Sequence, residues 1–107
     1  MKAHWMGIFA ALMITAAGQA LADEALARKS GCLECHSVDK KLIGPAYHDV
    51  AARYKSDARA RNALIEKVKK GGKGNWTEVT GGVLMPPFSP RLSDAEIQRL
   101  VDWVLSL

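Results

Sequence analysis

The sequence predicts an all-α fold, and three observations carry that. Apolar residues recur at helical spacing in separate stretches, most fully at Ile97, Leu100, Val101, Val104 and Leu105. Glycine and proline gather between those stretches and stop them, as at Gly71-Gly72 and Met85-Pro86-Pro87. No βαβ pattern surrounds the chain's two cysteines, Cys32 and Cys35.

The chain has 107 residues. It opens with Met1-Lys2, runs apolar from Met6 to Ala17 and reaches Ala20-Leu21-Ala22, a small-x-small cleavage site. Residues 1–22 read as a secretory signal peptide, too short in its apolar run for a comfortable membrane span; an uncleaved N-terminal anchor is the alternative. Cleavage after Ala22 leaves 85 residues, 23–107, enough for one domain whose core is marginal without a staple. Without Lys2 there are 14 basic and 11 acidic side chains, a net charge of +3. That mild excess, with no basic run interleaved with aromatics, argues against nucleic-acid binding and allows docking to an acidic patch.

Asp23 to Ser30 is a short helix candidate, with Asp23 and Glu24 where a helix N-terminus favours acids and Arg28 and Lys29 in its last turn. Gly31 ends it. Cys32-Leu33-Glu34-Cys35-His36 follows, in the CxxCH pattern of covalent haem attachment. Two thiols near one helical turn apart can both reach the vinyl groups along one haem edge, and the adjacent His36 is aimed at the iron as proximal ligand. A haem would also fill the centre of so small a domain. A dithiol redox pair and a zinc site are the alternatives, the latter taking His48 as fourth ligand to Cys32, Cys35 and His36.

Ser37 to Leu42 is a polar surface loop. Gly44 permits close backbone approach, and the Pro45 carbonyl is free to accept the second N–H of His36, which would fix the ring. An ordinary turn is the alternative for Pro45. Ala46 to Tyr54 is a short helix carrying His48, a rival ligand for the iron. Ser56-Asp57 is expected to cap a third helix, with Leu64, Ile65 and Val68 on its buried face and Lys67, Lys69 and Lys70 at its end.

From Gly71 to Pro90 no regular structure is expected. This stretch holds five of the nine glycines and Met85, the only methionine left once residues 1–22 are gone. A long irregular loop in a small domain is usually functional. Pro86 biases Met85 to an extended backbone, which suits a side chain held at a metal, and Met85 is expected as the sixth iron ligand, with core packing as its alternative. Ser93-Asp94-Ala95-Glu96 is a capping box opening the last helix, and Trp103 is expected to pack near Gly31.

Across 23–107 these features resemble one family. CxxCH near the start, Gly44-Pro45-Ala46-Tyr47-His48-Asp49-Val50-Ala51-Ala52, Trp76 and Met85-Pro86-Pro87 look like the small bacterial class I c-type cytochromes of the cytochrome c-551 (cytochrome c8) type. The resemblance implies four to five short helices wrapped around one covalent haem c. It implies Cys32 and Cys35 as thioether anchors, His36 and Met85 as axial ligands, the Pro45 carbonyl behind His36, and Trp76 donating its indole N–H to a haem propionate. It also implies a soluble, monomeric periplasmic one-electron carrier and no enzyme. Its partners would be a membrane quinol-oxidising complex and a reductase or oxidase such as nitrite reductase. A haem sensor or peroxidase-like protein with a labile sixth ligand is the alternative. Two departures fall near Met85. The 76–84 loop is slightly long and lacks the family's proline before the methionine. Phe88 stands where the family often has an asparagine that hydrogen-bonds the methionine sulfur.

Overall fold

The computed structural model describes residues 2–107, with side chains described from Ala16 onward. The part of the expected signal peptide before Ala16 therefore lies outside the described side chains. Five α-helices form: α1 Lys2–Lys29, α2 Tyr47–Tyr54, α3 Ala60–Lys70, α4 Thr77–Thr80 and α5 Asp94–Leu105, with a 3-10 turn at Cys32–Glu34. Among the described residues there is no strand, only isolated bridges pairing His36 with Lys41 and Gly72 with Met85. No helix among them is long and apolar enough to cross a membrane.

The expected short helix from Asp23 is the last part of a single 28-residue helix. Its environment changes within that helix: residues 16–22 are exposed, and among the described side chains Asp23 is the first that is buried. Arg99 holds it there, Nε donating to Asp23 Oδ1 at 3.0 Å and a second guanidinium nitrogen reaching the same oxygen at 2.9 Å. Gly31, at φ 89°, ends α1 in the left-handed conformation that L-residues avoid.

Helix α5 organises the rest, packing against α1, α2 and α3. Its capping box forms: Glu96 N–H donates to Ser93 Oγ at 3.1 Å, and Ser93 N–H donates to the Glu96 carboxylate at 3.0 Å. That second bond and the Ser93 hydroxyl hold the Glu96 carboxyl below its ordinary range. Ile97, Leu100, Val101 and Trp103 are buried, while Val104 and Leu105 are half-buried. Arg61 of α3 makes a two-pronged pair with Asp102, at 2.7 and 3.1 Å.

Three local expectations are corrected. Helix α3 starts at Ala60, not at Ser56-Asp57: the Asp57 carboxylate accepts from Arg59 N–H at 2.9 Å, so it closes its own turn instead of capping a helix. Within 71–90, α4 is a single helical turn that the glycine-rich composition hid. Trp103 does not pack at Gly31, where a Cβ would meet only the Glu34 carboxylate, at 3.8 Å; it lies edge to face on Tyr47, ring centroids 5.6 Å apart.

Candidate metal centre

The 3-10 turn after Gly31 brings Cys32, Cys35 and His36 together. His36 N–H donates to Cys32 O at 3.0 Å, and all three side chains line one cavity of about 380 Å³. The same cavity is lined by Pro45, Trp76 and Met85, so six residues from three separate stretches converge on it.

His36 is held from several sides. Its Nδ1 lies 2.8 Å from Pro45 O. A carbonyl only accepts, so Nδ1 carries the proton and Nε2 of the neutral ring keeps its lone pair. Burial lowers the pKa of His36, partly countered by that carbonyl, so the imidazole stays neutral as metal ligation requires. Gly44 lies so close that an added Cβ would stand 2.6 Å from His36 Cε1. Tyr47 stacks on the ring, centroids 4.8 Å apart and planes 19° from parallel. Burial pushes both the Tyr47 phenol and the Cys32 thiol above their ordinary values. Tyr47 was not singled out from the sequence; a tyrosine two residues after Pro45 on an otherwise polar helix start was the available hint.

Met85 is reached through the loop after α3. Gly71 and Gly72 end that helix with positive φ, 69° and 104°. Gly72 and Met85 then exchange backbone hydrogen bonds of 2.9 and 3.0 Å. A Cβ on Gly71 would collide with the Met85 carbonyl and the Pro86-Pro87 backbone. Phe88 is buried in the core, its N–H donating to Val68 O at 3.0 Å, while Arg91 stacks over its ring at 4.8 Å. The residue that departs from the family pattern is thus an apolar anchor for the methionine segment. Trp76 is half-buried, with the Arg53 guanidinium 4.3 Å from its ring centroid.

His48 is placed elsewhere. It is exposed, its Nε2 pairs with Asp39 at 3.1 Å, and it does not line the cavity. The fourth ligand that the zinc alternative needs is thus turned away from Cys32, Cys35 and His36. The residues do fit a haem. The apolar walls include Leu64, Val68 and Val104, two thiols stand beside a neutral imidazole, and a thioether lies in the same lining. Arg59, Lys67 and Lys73 add positive charge to that lining, suited to a haem's carboxylates.

Residues 15–107 match the cytochrome c family. The chain is 51% identical to cytochrome c-551 of Allochromatium vinosum over 88% of this chain and 95% of that protein. It is 43% identical to cytochrome c-552 of Nitrosomonas europaea over 100% of this chain and 99% of that protein. The crystal structure of wild-type Nitrosomonas europaea cytochrome c552 superposes with a TM-score of 0.69 at 40% identity, covering 78% of this chain and 98% of that one. A class 1 cytochrome from Sideroxydans lithotrophicus superposes at 0.67 with 37% identity, covering 79% and 91%. With this fold and this cavity, the chain belongs to the cytochrome c family, whose small members bind covalently attached haem c and carry electrons rather than catalyse reactions.

Proposed function

We propose that residues 23–107 form a periplasmic monohaem carrier, monomeric, that takes single electrons from a membrane quinol-oxidising complex and passes them to a reductase or oxidase such as nitrite reductase. Cys32 and Cys35 hold the haem as thioethers, and His36 and Met85 are its axial ligands. Pro45 orients His36, and Trp76 donates its indole N–H to a propionate. The haem iron supplies the one-electron couple; the chain's residues supply its position and surroundings. A bound thioether favours the ferrous state, and an apolar wall does the same by penalising added charge. Filling both axial positions leaves no open site for a substrate.

The observation that carries this reading is the convergence of Cys32, Cys35, His36, Pro45, Trp76 and Met85 on one cavity, with His36 held as the tautomer whose Nε2 is free. The start at Asp23 is supported by the change from exposed to buried at that residue, and residues 1–22 are the signal peptide that exports the chain. Docking is brief and uses the cavity's rim. Ile43, Val83 and Leu84 line the cavity and are 49%, 55% and 66% exposed. The exposed Lys40, Lys41 and Lys73 lie in the same loops and suit a small interface with an acidic partner.

A redox titration of the purified protein, followed by its visible spectrum, tests ligation and carrier behaviour together. A low-spin spectrum and a single reversible one-electron transition are expected. Met85→Ala is expected to abolish the methionine–iron charge-transfer band and lower the potential. Rapid cyanide binding to the resting ferric protein would instead support a sensor or peroxidase-like role with a labile sixth ligand.

A further inference from the structure

We propose that Arg53 is a positioning residue that clamps the segment leading to Met85 onto helix α2, an inference that rests on the reading of Met85 as an axial ligand. The Arg53 guanidinium stands 4.3 Å from the centroid of the Trp76 ring and 5.8 Å from that of Tyr54. Those two rings meet edge to face at 6.3 Å. The same guanidinium donates to Glu78 Oε1 at 3.3 Å. One cation therefore engages the residue before α4 and a residue within it.

Helix α4 needs that hold. It has four residues and buries none of them. A single turn does not persist by its own hydrogen bonds, since nucleation costs more than one turn returns. Its amides depend on Trp76: Val79 and Thr80 both donate to Trp76 O at 2.9 Å. Beyond it, Gly81 and Gly82 have positive φ and open space where a Cβ would be, and Val83 and Leu84 are exposed. The next attachment is the Met85–Gly72 bridge. Among the described residues, Arg53–Glu78 is the only hydrogen bond or ion pair joining residues 76–84 to the rest of the chain. Lysine could keep the charge but not the flat stacking on indole combined with the carboxylate contact. Arg53 thus sets how tightly the loop approaches the cavity, and through it how readily Met85 leaves.

The test uses the holoprotein and the variants Arg53→Gln, Arg53→Lys and Glu78→Gln. Arg61→Ala serves as a control that removes the α3–α5 ion pair instead. Two readouts are followed: hydrogen exchange at the Val79, Thr80 and Gly81 amides, and the rate of cyanide binding to the ferric protein. Arg53→Gln is expected to speed both by about five- to tenfold, from the loss of the cation–π contacts to Trp76 and Tyr54 and one exposed ion pair together. Arg53→Lys and Glu78→Gln are expected to fall between it and wild type. Arg61→Ala is expected to lower the melting temperature without a selective change at 79–81. Unchanged exchange and cyanide rates in Arg53→Gln would overturn the proposal, as would equal effects in Arg61→Ala. If Met85 were not the ligand, Met85→Ala would bind cyanide no faster than wild type, while faster exchange in Arg53→Gln would still report the clamp.

Discussion

The two sides of the cavity are built differently. Around His36 every neighbour is close and fixed: the Pro45 carbonyl, the Gly44 backbone and the Tyr47 ring all touch the imidazole. The backbone is also cross-tied, with Gly44 N–H on Cys35 O at 2.7 Å and Tyr47 N–H on Ser37 O at 2.9 Å. Around Met85 the chain is held at points. Gly72 and Phe88 anchor it below, Arg53 clasps it above, and Gly81 to Leu84 span the interval with mostly open surroundings. A ligand held from all sides stays put through redox cycles, whereas one on a spanned loop can be tuned by the contacts at the ends of the span. With His36 and Met85 as the proposed ligands, the histidine side would fix the haem and the methionine side would adjust it.

Breaking the anchor below Met85 is expected to have the largest effect. Phe88→Ala empties a buried aromatic site and should cost about 3–5 kcal/mol in denaturant unfolding, with faster hydrogen exchange at Met85. A loss under 1 kcal/mol would mean that the methionine side is not anchored there.

Gly44→Ala and Gly81→Ala sharpen the contrast. At Gly44 the new methyl meets a ring that Pro45 keeps from moving, so about 1–3 kcal/mol of overpacking is expected. At Gly81 nothing lies within 4 Å, and the cost is the positive φ alone, about 1 kcal/mol. Thermal melts of the two variants should therefore differ, with Gly44→Ala the less stable and the only one to alter the ferric spectrum.

Tyr47→Phe removes only the hydroxyl of a buried residue and keeps the stacked ring, so a change of no more than about 1 kcal/mol is expected, with little change in potential. Tyr47→Leu also loses the stack and should change the proton NMR shifts of the haem methyls, which report the orientation of the histidine plane. Identical methyl shifts in Tyr47→Leu would show that the other contacts alone orient His36.

The smallest effect lies outside the cavity. Glu96 has its folded pKa depressed, so the unfolded chain takes up this proton first. Its contribution is fully present above the ordinary carboxyl value of 4.5 and is lost as pH falls through the folded value. Glu96→Gln should flatten that part of the stability profile between pH 6 and pH 3, measured by urea unfolding.

Much of the fold was legible because its determinants are local. The Ser93–Glu96 box, the glycine stops at 31 and 71 and the α5 apolar stripe each lie within one or two helical turns, where spacing decides geometry. The cluster Cys32, Cys35 and His36 was legible for the same reason, and Met85 stood out by elimination. The start of α3 was not, because Asp57 had two local uses and composition does not say which one wins. Nor was α4, whose single turn depends on contacts with a distant arginine.

By itself the sequence determined which residues could bind a haem, where α1 and α3 stop and where α5 starts, since thiol spacing, capping and glycine conformation act over a few bonds. Only the tertiary structure decided which of those residues meet. It turned His48 outward to Asp39, laid Tyr47 on His36 and Trp103 on Tyr47, tied Asp23 to Arg99 and set Arg53 on Trp76. Those contacts join residues nine or more positions apart and in different elements, which no local spacing records.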